Sequence, residues 1–199
     1  MKKLFLIFVL SFVFVMPANA QQVGDSAAGY LKELNSRRPK TGLKYNMEVK
    51  SSAGTINYLT YAQDGKWRMD GSFQNETTTV LYDGKETTLI SGGMALSQEV
   101  DNFSALPDDD ELDAFSLGET TEKNGYPCRM VYNDDEDWEM CIYEKLTLPV
   151  YAKTGEYTMN VTNIKTQKFP NTLFQLPKGV KKLDFDMQQM MQNMMKMKQ

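Results

Sequence analysis

The run that begins at Leu43 constrains the fold more than any other feature of the chain. Leu43, Tyr45, Met47 and Val49 alternate with Lys44, Asn46, Glu48 and Lys50, and a period of two puts each set on its own face of a strand. One face is apolar and the other polar or charged, as an antiparallel sheet with one wet side requires. The pattern recurs. Gly54 turns the chain into residues 56–63, Asp64-Gly65 turns it into 66–70, and Asp83-Gly84 separates 78–82 from 85–91. The Asp-Gly step supplies the positive φ angles of a tight hairpin. After Gly92-Gly93 the signal weakens through Leu106, where a short helix or loop is expected. Strand character returns over 126–132, 137–144, 150–153 and 157–166. About eight to ten strands with turns at this spacing make a mainly β domain built on an antiparallel sheet or barrel. One helix precedes it. Residues 25–37 open on an N-cap candidate and set Ala27, Tyr30, Leu31 and Leu34 on one stripe before Pro39. Residues 175–182, with a Pro and a Gly, are expected to run along the surface.

Ahead of the helix, Lys2 and Lys3 precede an apolar run over 4–16 broken only by Ser11, followed by Pro17 and Ala18-Asn19-Ala20. This is the layout of a secretory signal peptide over 1–20, with cleavage after Ala20. The run is shorter than the roughly 20 residues of a membrane span. No Cys follows the cleavage point, so lipidation there is not expected. The expectation is a soluble periplasmic or secreted protein with no membrane span in its mature form. It has one β domain over 21–183 and a Met-rich tail over 184–199.

Composition removes several chemistries. The 199 residues include no His and two Cys, which excludes histidine-based nucleophile activation, histidine-ligated metal and any Cys₄ site. A formal charge of -4, more negative by two once Lys2 and Lys3 are removed, leaves no basic face for nucleic acid. No nucleic-acid partner, enzyme activity or cofactor is expected.

Cys128 and Cys141 flank the polar stretch 133–136. If those four residues form the loop, the cysteines face one another across a hairpin, and in an oxidising compartment they form a disulfide. It closes a loop of about 13 residues, worth about 2–3 kcal/mol in the chain-entropy model if unstrained. The same register sets Met130 opposite Glu139 although Met140 and Ile142 look inward-facing, and a β-bulge in one strand would relieve the conflict. A redox-active pair is the lesser reading, since the C-x-x-C spacing is missing.

The acidic stretches 108–111 and 134–137 lack the calcium-loop pattern and read as solvated loops. Their carboxylates are not spaced as a glycosidase pair. In the tail, Met187, Met190, Met191, Met194 and Met195 form one stripe of a helix. That stripe can dock on the sheet, adapt to an apolar ligand or partner, or ligate Cu(I) through soft thioethers. Three N-x-S/T sequons begin at Asn75, Asn102 and Asn160, relevant only in a eukaryotic secretory pathway.

The order of short motifs Lys66-Trp67-Arg68-Met69-Asp70, Asp83-Gly84-Lys85, Gly125-Tyr126-Pro127-Cys128, Leu148-Pro149-Val150, Val161-Thr162-Asn163-Ile164 and Leu173-Phe174-Gln175-Leu176-Pro177-Lys178-Gly179 resembles a group of uncharacterised exported bacterial proteins. That group is similar to the LolA-like lipoprotein-carrier superfamily. The resemblance runs from about residue 43 to the end. It implies a curved antiparallel half-barrel around helices, with a concave apolar face able to hold acyl chains. The cysteine hairpin and Met tail depart from those carriers.

The function this implies is non-enzymatic binding of a lipid or lipoprotein acyl chain. Candidate lining residues are Leu43, Tyr45, Met47, Val49, Tyr58, Trp67, Met69, Tyr82, Met130 and Tyr132. Such sites are concave and mostly apolar. The alternatives are Cu(I) binding by the Met tail and an interaction module for an envelope protein.

Overall fold

The computed structural model of the chain describes residues 26–37, 41–73, 76–99, 114–133 and 137–183. The expected signal peptide over 1–20, the Met-rich tail with its metal-binding alternative, and acidic residues 108–111 and 134–136 lie outside these residues.

Among the described residues there is one α-helix, α1 (Ala27–Ser36), and one sheet of twelve strands. Ser26 caps α1, its Oγ accepting from Gly29 N at 3.1 Å. The cap is thus one residue later than the Asp25 candidate. Ala27, Leu31 and Leu34 are buried on the expected stripe.

The strands are β1 (Leu43–Ser51), β2 (Gly54–Gln63), β3 (Lys66–Phe73), β4 (Glu76–Tyr82), β5 (Glu86–Ser91), β6 (Met94–Glu99), β7 (Phe115–Lys123), β8 (Tyr126–Asn133), β9 (Trp138–Tyr143), β10 (Leu148–Thr154), β11 (Tyr157–Thr166) and β12 (Lys181–Leu183). Their order across the sheet is 12-6-5-4-3-2-1-11-10-9-8-7. β12 and β7 form the two edges, so the sheet is open. All pairs are antiparallel except β12 with β6, so the sheet is mixed rather than wholly antiparallel.

The parallel pair follows from the path of residues 167–180. This strap leaves β11 and crosses the outer face of β2 to β5. Phe169 meets the Tyr61 ring edge-on at 5.4 Å, and Arg68 Nη1 donates to Leu173 O at 3.3 Å. Val180 packs on Leu81, Ile90 and Ala95. The strap then delivers β12 beside β6 with the chain running the same way.

At the other end the sheet coils. Asn124, in the β7–β8 turn, donates through Nδ2 to Val150 O at 2.8 Å and Asn160 Oδ1 at 3.3 Å. The Tyr126 hydroxyl accepts from Ile164 N at 3.1 Å. In a flat sheet β8 and β11 would stand roughly 14 Å apart, so these bonds require strong curvature.

Cys128 and Cys141 are joined, with Cα atoms 5.4 Å apart. Their register differs from the expected one. Met130, not Cys128, stands directly opposite Cys141, and Tyr132 stands opposite Glu139. The disulfide therefore runs diagonally across the hairpin, and β8 and β9 pair without a slip. The irregularities flank them, between Leu117 and Thr120 on β7 and between Pro149 and Tyr151 on β10. The conflict over Met130 and Met140 has another resolution: this hairpin is buried on both faces. Met130 and Cys141 fill one side, Val131 and Met140 the other, all at 4% exposure or less.

Candidate functional site

Cross-strand partners share a face, so the register carries the apolar face from strand to strand. Met47 pairs with Tyr58 and Val161, Thr60 with Met69, Met69 with Val80, and Val80 with Leu89. Eight of the candidate residues lie on this face: Leu43, Tyr45, Met47, Val49, Tyr58, Trp67, Met69 and Tyr82, each at most 7% exposed. Met130 and Tyr132 do not. Met159 pairs with Ala152, Ala152 with Met140, and Met140 with Val131. Val131 is therefore on the shared face and its neighbours Met130 and Tyr132 on the reverse.

Over β1 to β4 the shared face is filled. The Trp67 and Tyr82 rings stack at 5.8 Å. The Tyr58 ring covers Gly71, where a Cβ would come within 2.5 Å of it. Burial pushes the Tyr45 and Tyr58 phenols above their ordinary pKa.

Towards β6 the same face loses its cover. Val80 is 2% exposed, Leu89 is half-buried, and Leu96 and Met94 are 38% and 50% exposed. Leu96 pairs with Leu89, and Met94 with Ser91. The result is an apolar strip that runs from the closed core to an open margin. Sequence reasoning missed Leu89, Met94 and Leu96. A signal existed in Met94-Ala95-Leu96, but Ala95 is buried on the opposite face with Leu81 and Ile90, and three apolar residues in a row hide the alternation.

A concavity lies on the reverse face. A cavity of about 900 Å³ is lined by residues of β11, β1, β2, β3 and β4 and walled by Asn124. Its lining is mostly polar, with Asn46, Asn57, Ser72 and Asn160 among the residues that form it. Its charges are locally matched. Lys50 Nζ lies 2.7 Å from Glu48, while Asp70 accepts from Arg68 Nε at 2.9 Å and Thr79 Oγ1 at 2.7 Å. Such a trough offers hydrogen-bonding groups beside the apolar Leu59. A smaller cavity of about 260 Å³ lies under the strap beside Lys182 and Glu86. The Lys182 hydrogen bond holds the Glu86 carboxyl below its usual value.

Among the described residues no group of three His, Cys, Asp or Glu could hold a metal ion, and no helix is long and apolar enough to cross a membrane.

No family model and no curated protein sequence matches the chain. Solved structures do. An uncharacterized conserved protein from Thermus thermophilus superposes with a TM-score of 0.60 at 10% identity, over 79% of this chain and 99% of that one. A chain of the MucA/MucB complex of Pseudomonas aeruginosa gives a TM-score of 0.50 at 11% identity, over 80% of this chain. The match spans 64% of that chain, less than two thirds of its length. A putative outer membrane lipoprotein-sorting protein domain from Vibrio parahaemolyticus also matches. It covers 85% of this chain and 98% of that one at 8% identity, with a TM-score of 0.35. At these identities the first two likenesses establish the fold alone. The buried disulfide fits an oxidising, extracytoplasmic setting.

Proposed function

We propose that this chain is a periplasmic, non-enzymatic binding protein that holds the acyl part of a lipid or lipoprotein against the apolar face of its sheet. The observation that carries this reading is the graded exposure of one continuous face, from Val80 at 2% to Leu96 at 38% and Met94 at 50%. A face with only a structural task would be covered to its margin or end in polar residues. Here apolar side chains continue into solvent. Each methylene of an acyl chain laid on them gains about 0.8 kcal/mol, so a few methylenes outweigh the ordering of the chain. Leu89, Met94 and Leu96 form the mouth, and Met69, Tyr82 and Trp67 the inner wall. The trough on the reverse face, rimmed by Asn46, Asn57 and Asn160, has no part in this reading.

A fluorescent fatty acid titrated into the protein tests it. Met94→Gln combined with Leu96→Asn should weaken binding at least tenfold while leaving the thermal midpoint unchanged, because both side chains are exposed. No binding to the wild-type chain, or equal binding to the variant, contradicts the reading.

A further inference from the structure

Two polar atoms are buried without a partner on the apolar face. Thr60 Oγ1 and Trp67 Nε1 make no hydrogen bond, and both residues are 0% exposed. They stand on adjacent strands and on the same side of the sheet, since Thr60 pairs with Met69 and Trp67 with Ala62. Two other buried atoms also lack a hydrogen bond, Arg129 Nε and Glu86 Oε1. Arg129 stands on the same face as Val131 but on β8, away from Thr60 and Trp67 in the strand order, and Glu86, on the reverse face with Thr88, is charge-paired with Lys182 Nζ at 2.7 Å.

Leaving a donor unsatisfied in a closed apolar site is costly, and native chains avoid it unless something else supplies the partner. The chemistry of the pair narrows what that is. An indole N–H can only donate, and a threonine hydroxyl can donate as well, so the missing group is a hydrogen-bond acceptor. It must also be uncharged or weakly hydrated to enter among Met47, Met69, Tyr82 and Val80. Hydrocarbon offers no acceptor, and an ammonium head group offers only donors or nothing.

We infer that Thr60 and Trp67 form a polar subsite for the carbonyl oxygen of an acyl ester, set inside the apolar face and reached from the Leu96 margin. The inference rests on the acyl-binding reading above and adds the part of the ligand that is recognised. The face is filled at Thr60 and Trp67, so the group enters only as the side chains around it rearrange. Met47, Met69, Met140 and Met159 all lie on this face, and thioether side chains change shape at small cost. Tyr45, directly across from Thr60, closes the subsite on the β1 side. The ester is held by hydrogen bonds while its chain runs out along Leu89 and Leu96.

The test compares methyl decanoate with undecane, two ligands of similar length that differ in the acceptor, by displacement of an uncharged naphthylamine dye. Two net hydrogen bonds predict a preference for the ester of about tenfold or more. Thr60→Val with Trp67→Phe should reduce that preference to about twofold or less while undecane binding is kept. Because a core variant can fail to fold, the ¹⁵N–¹H resonance of the Trp67 indole is followed in the wild-type chain. It should move downfield with the ester and stay in place with undecane. Equal binding of both ligands, a preference retained in the variant, or an indole resonance unmoved by the ester overturns the subsite, and the last is the result of a resident water alone. Failure of both ligands to displace the dye is a different outcome, which overturns the acyl-binding reading and the subsite with it.

Discussion

The two ends of the sheet are built on different plans. In β1 to β3 burial alternates: on β1 Leu43, Tyr45, Met47 and Val49 are buried while Asn46 and Lys50 are exposed. In β8 and β9 it does not, since Met130 and Val131 are both buried, as are Met140, Cys141 and Ile142 in succession. Over β1 to β3 there is one core face, and the reverse face is exposed or half-buried, part of it under the strap. The second end is enclosed on both sides, by coiling of the sheet and by the partly buried rings of Tyr126, Tyr132 and Tyr143. A period of two is therefore a reliable guide only where one face meets water, and a two-sided strand shows consecutive apolar residues instead.

Alanine substitutions should expose this contrast with the largest effects. Met47→Ala should cost about 2–5 kcal/mol, whereas Asn46→Ala beside it should stay within about 0.5 kcal/mol. In the hairpin, Met130→Ala and Met140→Ala face opposite ways, yet each should cost about 2–5 kcal/mol. Urea unfolding measures all four. A small effect at either hairpin methionine would make that end one-sided after all.

Next in size is the disulfide. Cys128→Ala combined with Cys141→Ala should lower stability by about 3 kcal/mol through the freed loop, with Trp67 fluorescence in the folded state unaltered. A change in that fluorescence would mean that the bridge shapes the distant end as well as securing its own.

The smallest effect is on the reverse face of the two-sided end, where the Tyr151 hydroxyl donates to Glu139 at 2.7 Å. Burial, then the bond and charge of Glu139, push this phenol up to about 12. The folded protein holds the proton that the unfolded chain releases near pH 10. The contribution is therefore complete below about pH 10 and fades as the pH rises towards 12. Comparing stability against pH for the wild type and Tyr151→Phe should give curves that converge over that interval. Parallel curves would remove the bond from the account.

What can be read from the sequence follows the same division. Strands β1 to β5 and β8 to β11 are visible as alternation or strand composition, and the resemblance to LolA-like carriers anticipates an open curved sheet. β7 is not visible. Gly118 and Glu119 together oppose Met130 where the register slips, which breaks the period, and the edge strand is polar over much of its length. Asn124-Gly125, with φ of 55° and 81°, is the hairpin signal that could reveal it. β12 has three residues, too few for any period. It exists because the strap places it beside β6.

For the candidate site, the apolar set on β1 to β4 is legible because polar neighbours frame it. Met130 and Tyr132 read as part of the same face because nothing in the sequence marks a strand with two buried sides. Thr60 carries no sign of its burial, since threonine is equally suited to a wet strand face. Its meaning comes only from the partner it lacks.

Native mass spectrometry of the protein purified from its own envelope tests the central claim most directly. The wild-type chain should carry an acyl-bearing lipid or lipoprotein fragment, and the Met94→Gln, Leu96→Asn variant should emerge without it. A wild-type chain free of any acyl species, or a variant that carries the same load, would contradict the account.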